Sequence, residues 1–213
     1  MRLTDRFRPT TLEQVIGQSC IPLLMAYAES PYSACWAFEG NPGVGKTSAA
    51  YALANDLGSS ESTTMIPCSE LNTDRCREVM RSLALKPMFG GGRWQLLLLE
   101  ELETLHPQCQ TLLKVGLENL PRHAIVIATS NNSEKLQPAL VQRFNRLIFE
   151  SGKAFADAAR VHLASIWANE LPGVPLPPAW QTWGLNDNRE FSVRVALDKM
   201  EMALLGRKGK VLV

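Results

Sequence analysis

Between a short apolar run, Cys35-Trp36-Ala37-Phe38, and an alanine- and leucine-rich stretch, Thr47 to Leu57, lies Gly40-Asn41-Pro42-Gly43-Val44-Gly45-Lys46-Thr47. This Gly-x-x-x-x-Gly-Lys-Thr spacing restricts the fold more than any other feature of the chain. It has meaning only where a buried strand ends in a glycine-rich turn that opens a helix. Glycine lets the backbone curl with its N–H groups pointing inward, and the helix N-terminus adds the positive end of its dipole. The loop is therefore expected to cradle the phosphates of ATP through Asn41, Pro42, Gly43, Val44, Gly45, Lys46, Thr47 and Ser48. Lys46 is placed to reach the β- and γ-phosphates, and Thr47 to ligate Mg²⁺. A chance glycine-rich turn would lack the flanking strand and helix.

A triphosphatase of this design needs carboxylates at the end of a neighbouring strand, for the metal-bound water and for the attacking one. Trp94-Gln95-Leu96-Leu97-Leu98-Leu99 ends in Glu100-Glu101. Such a continuous apolar run marks a central parallel strand covered on both faces. Glu100 is the candidate for the metal and Glu101 for the catalytic base. The competing reading is a solvated turn, with Glu100 to Glu103 as acids at a helix start.

Met65-Ile66-Pro67, Ala124 to Thr129 and Leu147-Ile148-Phe149 read as further strands. Asp74 to Leu85 reads as a polar helix, and Leu105, Cys109, Leu112, Leu113, Leu117 and Leu120 recur at helical spacing. Strands alternating with helices imply a parallel sheet with helical crossovers. After Phe149 the strand signal stops. Ala154 to Trp167 and Ser192 to Leu205 read as helices, separated by the proline-rich Leu171 to Pro178. The expected fold class is α/β: a P-loop parallel sheet with flanking helices over residues 1–150, then a small all-helical lid over 151–213. Arg6-Phe7-Arg8-Pro9 reads as extended, because proline pushes the residue before it away from helical backbone. Pro87 to Gly92 reads as a breaker.

The five cysteines, Cys20, Cys35, Cys68, Cys76 and Cys109, form no C-x-x-C pair and read as free thiols of a reducing compartment. No run of 18 apolar residues occurs, and Met1 to Arg6 carries no apolar stretch, so a cytoplasmic chain with no membrane partner is expected. A net charge of +1 excludes coating nucleic acid by bulk charge and leaves room for a local basic face. Arg77 and Arg81 lie four apart, with Arg75, Lys86 and Arg93 nearby, and would grip DNA phosphates without reading bases. Balanced by Asp74 and Glu78, the same residues read as a solvated face. Trp36, Trp94, Trp167, Trp180 and Trp183 read as packing residues. His106, His123 and His162 have no ligand or triad spacing.

In their order along the chain, these features resemble the AAA+ ATPases of the clamp-loader branch, such as replication factor C small subunits and phage and bacterial clamp-loader ATPase subunits. Phe7-Arg8-Pro9-Thr10-Thr11-Leu12-Glu13-Gln14-Val15-Ile16-Gly17-Gln18 is similar to that family's opening segment. The resemblance implies that Val15, Ile16 and Gly17 lie against adenine and that Arg8 is a nucleotide-binding residue. Asn72 to Val79 is similar to the stretch before its DNA-facing helix. Ile127-Ala128-Thr129-Ser130-Asn131-Asn132 is similar to the strand called sensor 1, which implies that Asn131 positions the hydrolytic water. Pro138-Ala139-Leu140-Val141-Gln142-Arg143-Phe144 resembles the region of the trans-acting arginine finger, which implies Arg143 in that role, with Arg146 as the alternative. Ser192 to Leu197 is similar to sensor 2, which implies that Arg194 touches the nucleotide of its own subunit.

The chain departs from that pattern at Glu100, where the family has aspartate, and at Gln142 and Phe144, where it has serine and cysteine. No collar domain is expected after residue 206. The resemblance implies a ring or spiral of identical or different AAA+ subunits. It would use ATP to load or remodel a protein on DNA, such as a sliding clamp or helicase. Other expectations are an ATP-gated DNA-binding regulator, such as a helicase loader or transposition adaptor, or a structural ATP-binding subunit poor in hydrolysis.

Overall fold

A computed structural model describes residues 1–85, 93–185 and 190–211, with side chains to residue 206. Lys86 and the breaker Pro87 to Gly92 lie outside the described residues. Five strands form one sheet: β1 (Ala34–Gly40), β2 (Thr63–Pro67), β3 (Gln95–Glu100), β4 (Ala124–Ser130) and β5 (Asn145–Phe149). Their spatial order is β2-β3-β4-β1-β5, and every pairing is parallel. The connections carry α3 (Lys46–Asp56), α4 (Thr73–Leu83), α5 (Pro107–Glu118) and the short α6 (Pro138–Val141).

Strand alternation divides the core in two. Leu96 and Leu98 of β3 join Ala49, Ala50 and Leu53 of α3 on one face of the sheet. Leu97 and Leu99 join Cys76, Val79 and Leu83 of α4 with Cys109 and Leu113 of α5 on the other. Both faces of β3 and β4 are thus covered, which is why these strands are apolar without alternation. All five cysteines are free and buried, and Trp36, Trp94, Trp167 and Trp183 are buried packing residues.

Two long helices, α7 (Lys153–Glu170) and α8 (Val193–Val211), follow the sheet. They pack onto the α3 side through Phe155, Leu163, Trp167, Ala196 and Met200. The chain start is also on this side, with α1 (Leu3–Arg6) and α2 (Ile21–Glu29). The expected extended backbone at Arg6 is corrected: Arg6 closes α1, which lies against α8, and its guanidinium pairs with Glu170 at the end of α7. Burial of Leu3 against distant residues holds this helical turn, and nothing local announces it. The backbone is extended at Thr11, with φ −129° and ψ 159°.

Gln18 fastens the opening segment to the sheet. Its Nε2 donates to the Val44 carbonyl at 3.1 Å and to the Glu150 carbonyl at 3.0 Å, and its Oε1 accepts from the Glu150 N–H at 2.8 Å. One buried amide therefore joins the chain start, the glycine-rich loop and the end of β5. Among the described residues no helix is long and apolar enough to cross a membrane.

Candidate functional site

The glycine-rich loop leaves the carboxyl end of β1 and enters α3. Gly40, Gly43 and Gly45 have φ of 149°, 81° and 101°, the region that side chains avoid. A Cβ on Gly40 would strike the Phe149 carbonyl, and one on Gly43 would strike Ser192 Oγ. The loop is thus wedged between β5 and the start of α8, and the Val193 N–H donates to the Gly43 carbonyl at 3.0 Å. Lys46 opens α3 and is only 7% exposed. Its Nζ donates to the carbonyls of Gly40 (2.6 Å) and Asn41 (2.8 Å) and to Asn131 Oδ1 (2.9 Å). Burial pushes the Lys46 ammonium down to about 8, with the charge of Glu103 opposing that shift and Arg194 adding to it.

The two expected carboxylates diverge. Glu101 has φ 54° and ψ 56°, the one left-handed side-chain-bearing residue among those described. Such a conformation costs about 1–3 kcal/mol and marks functional turns. It is held by the Glu101 N–H donating to Thr129 Oγ1 at 3.2 Å and by Thr104 Oγ1 donating to the Glu101 carbonyl at 2.8 Å. Glu101 lines the cleft, whereas Glu100 does not. Alternation along β3 puts Glu100 on the α3 face with Leu96 and Leu98, where its charge reaches Tyr51 of α3.

The cleft draws together Arg8, Val15 and Ile16 from the opening segment, Pro42 to Ser48 from the loop, and Glu101, Asn131 and Arg194. Thr47, expected to ligate the metal, is among them. Gly17 is outside the lining: it has φ 61° and sits against Phe155 and Ala158 of α7. Asn41 contributes its carbonyl to Lys46, while its Nδ2 donates to Ser151 Oγ at 2.9 Å. Neither Arg143 nor Arg146 lines the cleft. Arg143 is exposed and pairs with Glu118 of α5. Arg146 grips the buried Glu39 with two nitrogens, Nε to Oε1 at 2.7 Å and NH2 to Oε2 at 2.6 Å.

On α4, Arg75 pairs with Glu78 and Arg77 with Asp74, while Arg81 has no ion pair among the described residues. Asn72 caps this helix by accepting from the Arg75 N–H at 2.8 Å.

Sequence reading missed Thr129, Phe155, His162 and Leu197, which also line the cleft. Thr129 is near the end of β4, two residues before Asn131, which follows the strand. Phe155 and His162 are seven apart on α7, one helical face, and burial holds the imidazole below its usual range. Those spacings were legible, but nothing local said which face meets the loop. Three cations (Arg8, Lys46 and Arg194), a helix N-terminus and positive-φ glycines, together with apolar side chains, form a donor set suited to a nucleoside polyphosphate.

Residues 37–151 match the ATPase family associated with various cellular activities (AAA). Replication factor C subunit 3 of Blastobotrys adeninivorans is 27% identical over 183 residues, which is 84% of this chain and 53% of that protein. The replication factor C small subunit of Methanosarcina mazei is 29% identical over 154 residues, 67% of this chain and 46% of that protein. The chain thus spans about half the length of these curated relatives. In fold, it is similar to the RuvB Holliday junction branch migration motor of Thermotoga maritima, with TM-score 0.68 and 19% identity over 90% of this chain and 63% of that one.

Proposed function

Because the chain belongs to the AAA family of ATPases, we propose that its cleft binds ATP with Mg²⁺ and hydrolyses it at a boundary between subunits. One observation carries this reading. Lys46, Glu101, Asn131 and Arg194, from four separate segments, line a single cleft around the phosphate loop. In this proposal Lys46 and the loop N–H groups hold the β- and γ-phosphates, Arg8, Val15 and Ile16 flank the base, and Gly17 supports that wall from behind. A bound Mg²⁺ would neutralise phosphate charge, with Thr47 as its partner in the cleft and Glu100, outside the lining, acting on it only through a bound water. Glu101 takes the proton of the attacking water, Asn131 orients that water, and Arg194 holds phosphate from the lid.

The finger is proposed to be Arg143 of a neighbouring subunit. Supporting this, the cleft's own chain brings neither Arg143 nor Arg146 to it. Both arginines are exposed and ion-paired, but Arg146 makes two bonds to the buried Glu39, whereas Arg143 pairs with the more accessible Glu118. The work proposed for the assembly is loading or remodelling a protein on DNA, with Arg77, Arg81 and Lys86 gripping phosphates. The replication factor C relatives support that reading. Glu100, at a position where aspartate is usual, favours a second reading: a subunit that binds ATP and hydrolyses it slowly.

The test mixes Arg143→Ala with Lys46→Ala protein. Each alone should be inactive, and mixing should restore turnover, because some interfaces then pair an intact loop with an intact finger. The finger's contribution in known systems is roughly 10³–10⁵ in rate. Full activity in Arg143→Ala alone would overturn this finger. Tight ATP binding with no turnover in wild type, with or without DNA, would favour the second reading.

A further inference from the structure

The turn after β3 carries a third carboxylate, for which the loop, the metal and the base give no role. Glu103 sits in the 3-10 turn Leu102–Thr104. Its Oε1 accepts from the Asn131 backbone N–H at 3.1 Å and from Asn131 Nδ2 at 2.9 Å. Its Oε2 is buried, with no hydrogen-bond partner among the described residues. The far side of the same amide, Asn131 Oδ1, accepts from Lys46 Nζ at 2.9 Å.

A carboxylate only accepts hydrogen bonds, whereas an amide has one donating and one accepting end. Glu103 can therefore bind only the NH₂ end of Asn131, and this forces the oxygen to face the cleft. We infer that Glu103 is a positioning residue for ATP hydrolysis: it locks the Asn131 amide with its oxygen toward the phosphate loop. Lys46 takes that oxygen while it has no phosphate to hold. Once Lys46 turns to the phosphates, the oxygen is free to accept a hydrogen bond from the attacking water. Without Glu103 the amide can turn over and present its NH₂ group, a donor, to the water and to Lys46. Glu103 does not line the cleft, so it acts through Asn131 and does not touch the substrate. The inference rests on reading the cleft as an ATPase site.

Two measurements test it. The first uses nucleotide-free protein and follows the Asn131 side-chain amide by NMR. That resonance should shift in Glu103→Ala and stay near its wild-type position in Glu103→Gln, whose side-chain oxygen can accept the same two bonds. The second is steady-state ATP turnover. Glu103→Ala should lower kcat about 10- to 100-fold with KM nearly unchanged, the scale expected when a reacting group is misplaced. Glu103→Gln should recover most of that loss, and Glu103→Ala should cost nothing further in an Asn131→Ala background. If Glu103→Ala fails to fold, Glu103→Asp shortens the reach while keeping the charge and carries the same expectation. An unmoved amide resonance or an unchanged kcat in Glu103→Ala overturns the inference. So does a Glu103→Gln protein as slow as Glu103→Ala while Glu101→Gln still turns over, which would make Glu103 the base. A wild type with no ATP turnover defeats the ATPase reading alone, and the amide measurement then still decides the role of Glu103.

Discussion

At Lys46, burial and neighbouring charge act on one ammonium, and burial prevails, bringing it down to about 8. Phosphates of a bound nucleotide favour the charged form, so the group titrates higher in the complex than in the free protein. Between those two values, binding must take up a proton. ATP affinity should therefore be flat below about pH 8 and fall as pH rises above it, by up to roughly tenfold per pH unit. Calorimetry across pH 7–10 checks this, and Lys46→Arg should flatten the profile, because guanidinium keeps its proton. Glu101→Gln should bind ATP normally and lose roughly 10²–10⁴ in turnover, since an amide accepts a hydrogen bond but is no base. Single-turnover kinetics measure that loss. The phosphate loop was legible because its chemistry lies in consecutive residues. Glu103 and His162 were not, because each gains its meaning from residues of other elements, Asn131 just past β4 for Glu103 and, for His162, the cleft it shares with Val15 and Ile16 of the opening segment.

The phosphate loop is wedged against the start of α8. Gly43→Ala should be costly, since φ is 81° and the new Cβ would meet Ser192 Oγ at the start of α8. Gly58→Ala has φ 62° and open space around the new Cβ, so it isolates the backbone cost alone. Thermal unfolding of both should show Gly43→Ala losing more than the roughly 1–2 kcal/mol expected of left-handed strain at Gly58. ATP affinity should suffer only in Gly43→Ala. On α4, Arg77→Ala with Arg81→Ala should weaken binding of unrelated DNA sequences equally and reduce the salt slope by about 1–2. An unchanged slope would return α4 to a solvated face, a role to which the Arg77–Asp74 pair already inclines half of it. Elements with strong periodicity, β3, β4 and α5, were legible almost to the residue. The exception, α1, depends on burial of Leu3 in a core shared with α8, for which there is no local signal.

Across the whole molecule, alternation of strand and helix announced a parallel sheet, but not the order β2-β3-β4-β1-β5. That order follows from which distant strands pair, and insertion of β4 between β1 and β3 is what sets Asn131, just past β4, between the turn that carries Glu101 and the loop that carries Lys46. The division into a sheet domain of residues 1–150 and a lid of 151–213 remains our proposal. It draws on the end of β5 at Phe149 and the start of α7 at Lys153, while one apolar core runs through both. In that proposal ATP would lie between sheet and lid, with Lys46 and Arg194, which line one cleft, both reaching it. The most direct test is calorimetric titration of MgATP into wild-type, Lys46→Ala and Arg194→Ala protein. Wild type should bind one ATP per chain, Lys46→Ala should bind none measurably, and Arg194→Ala should bind more weakly. Wild-type affinity retained in Lys46→Ala, or no binding by the wild type, would contradict a nucleotide site at this cleft.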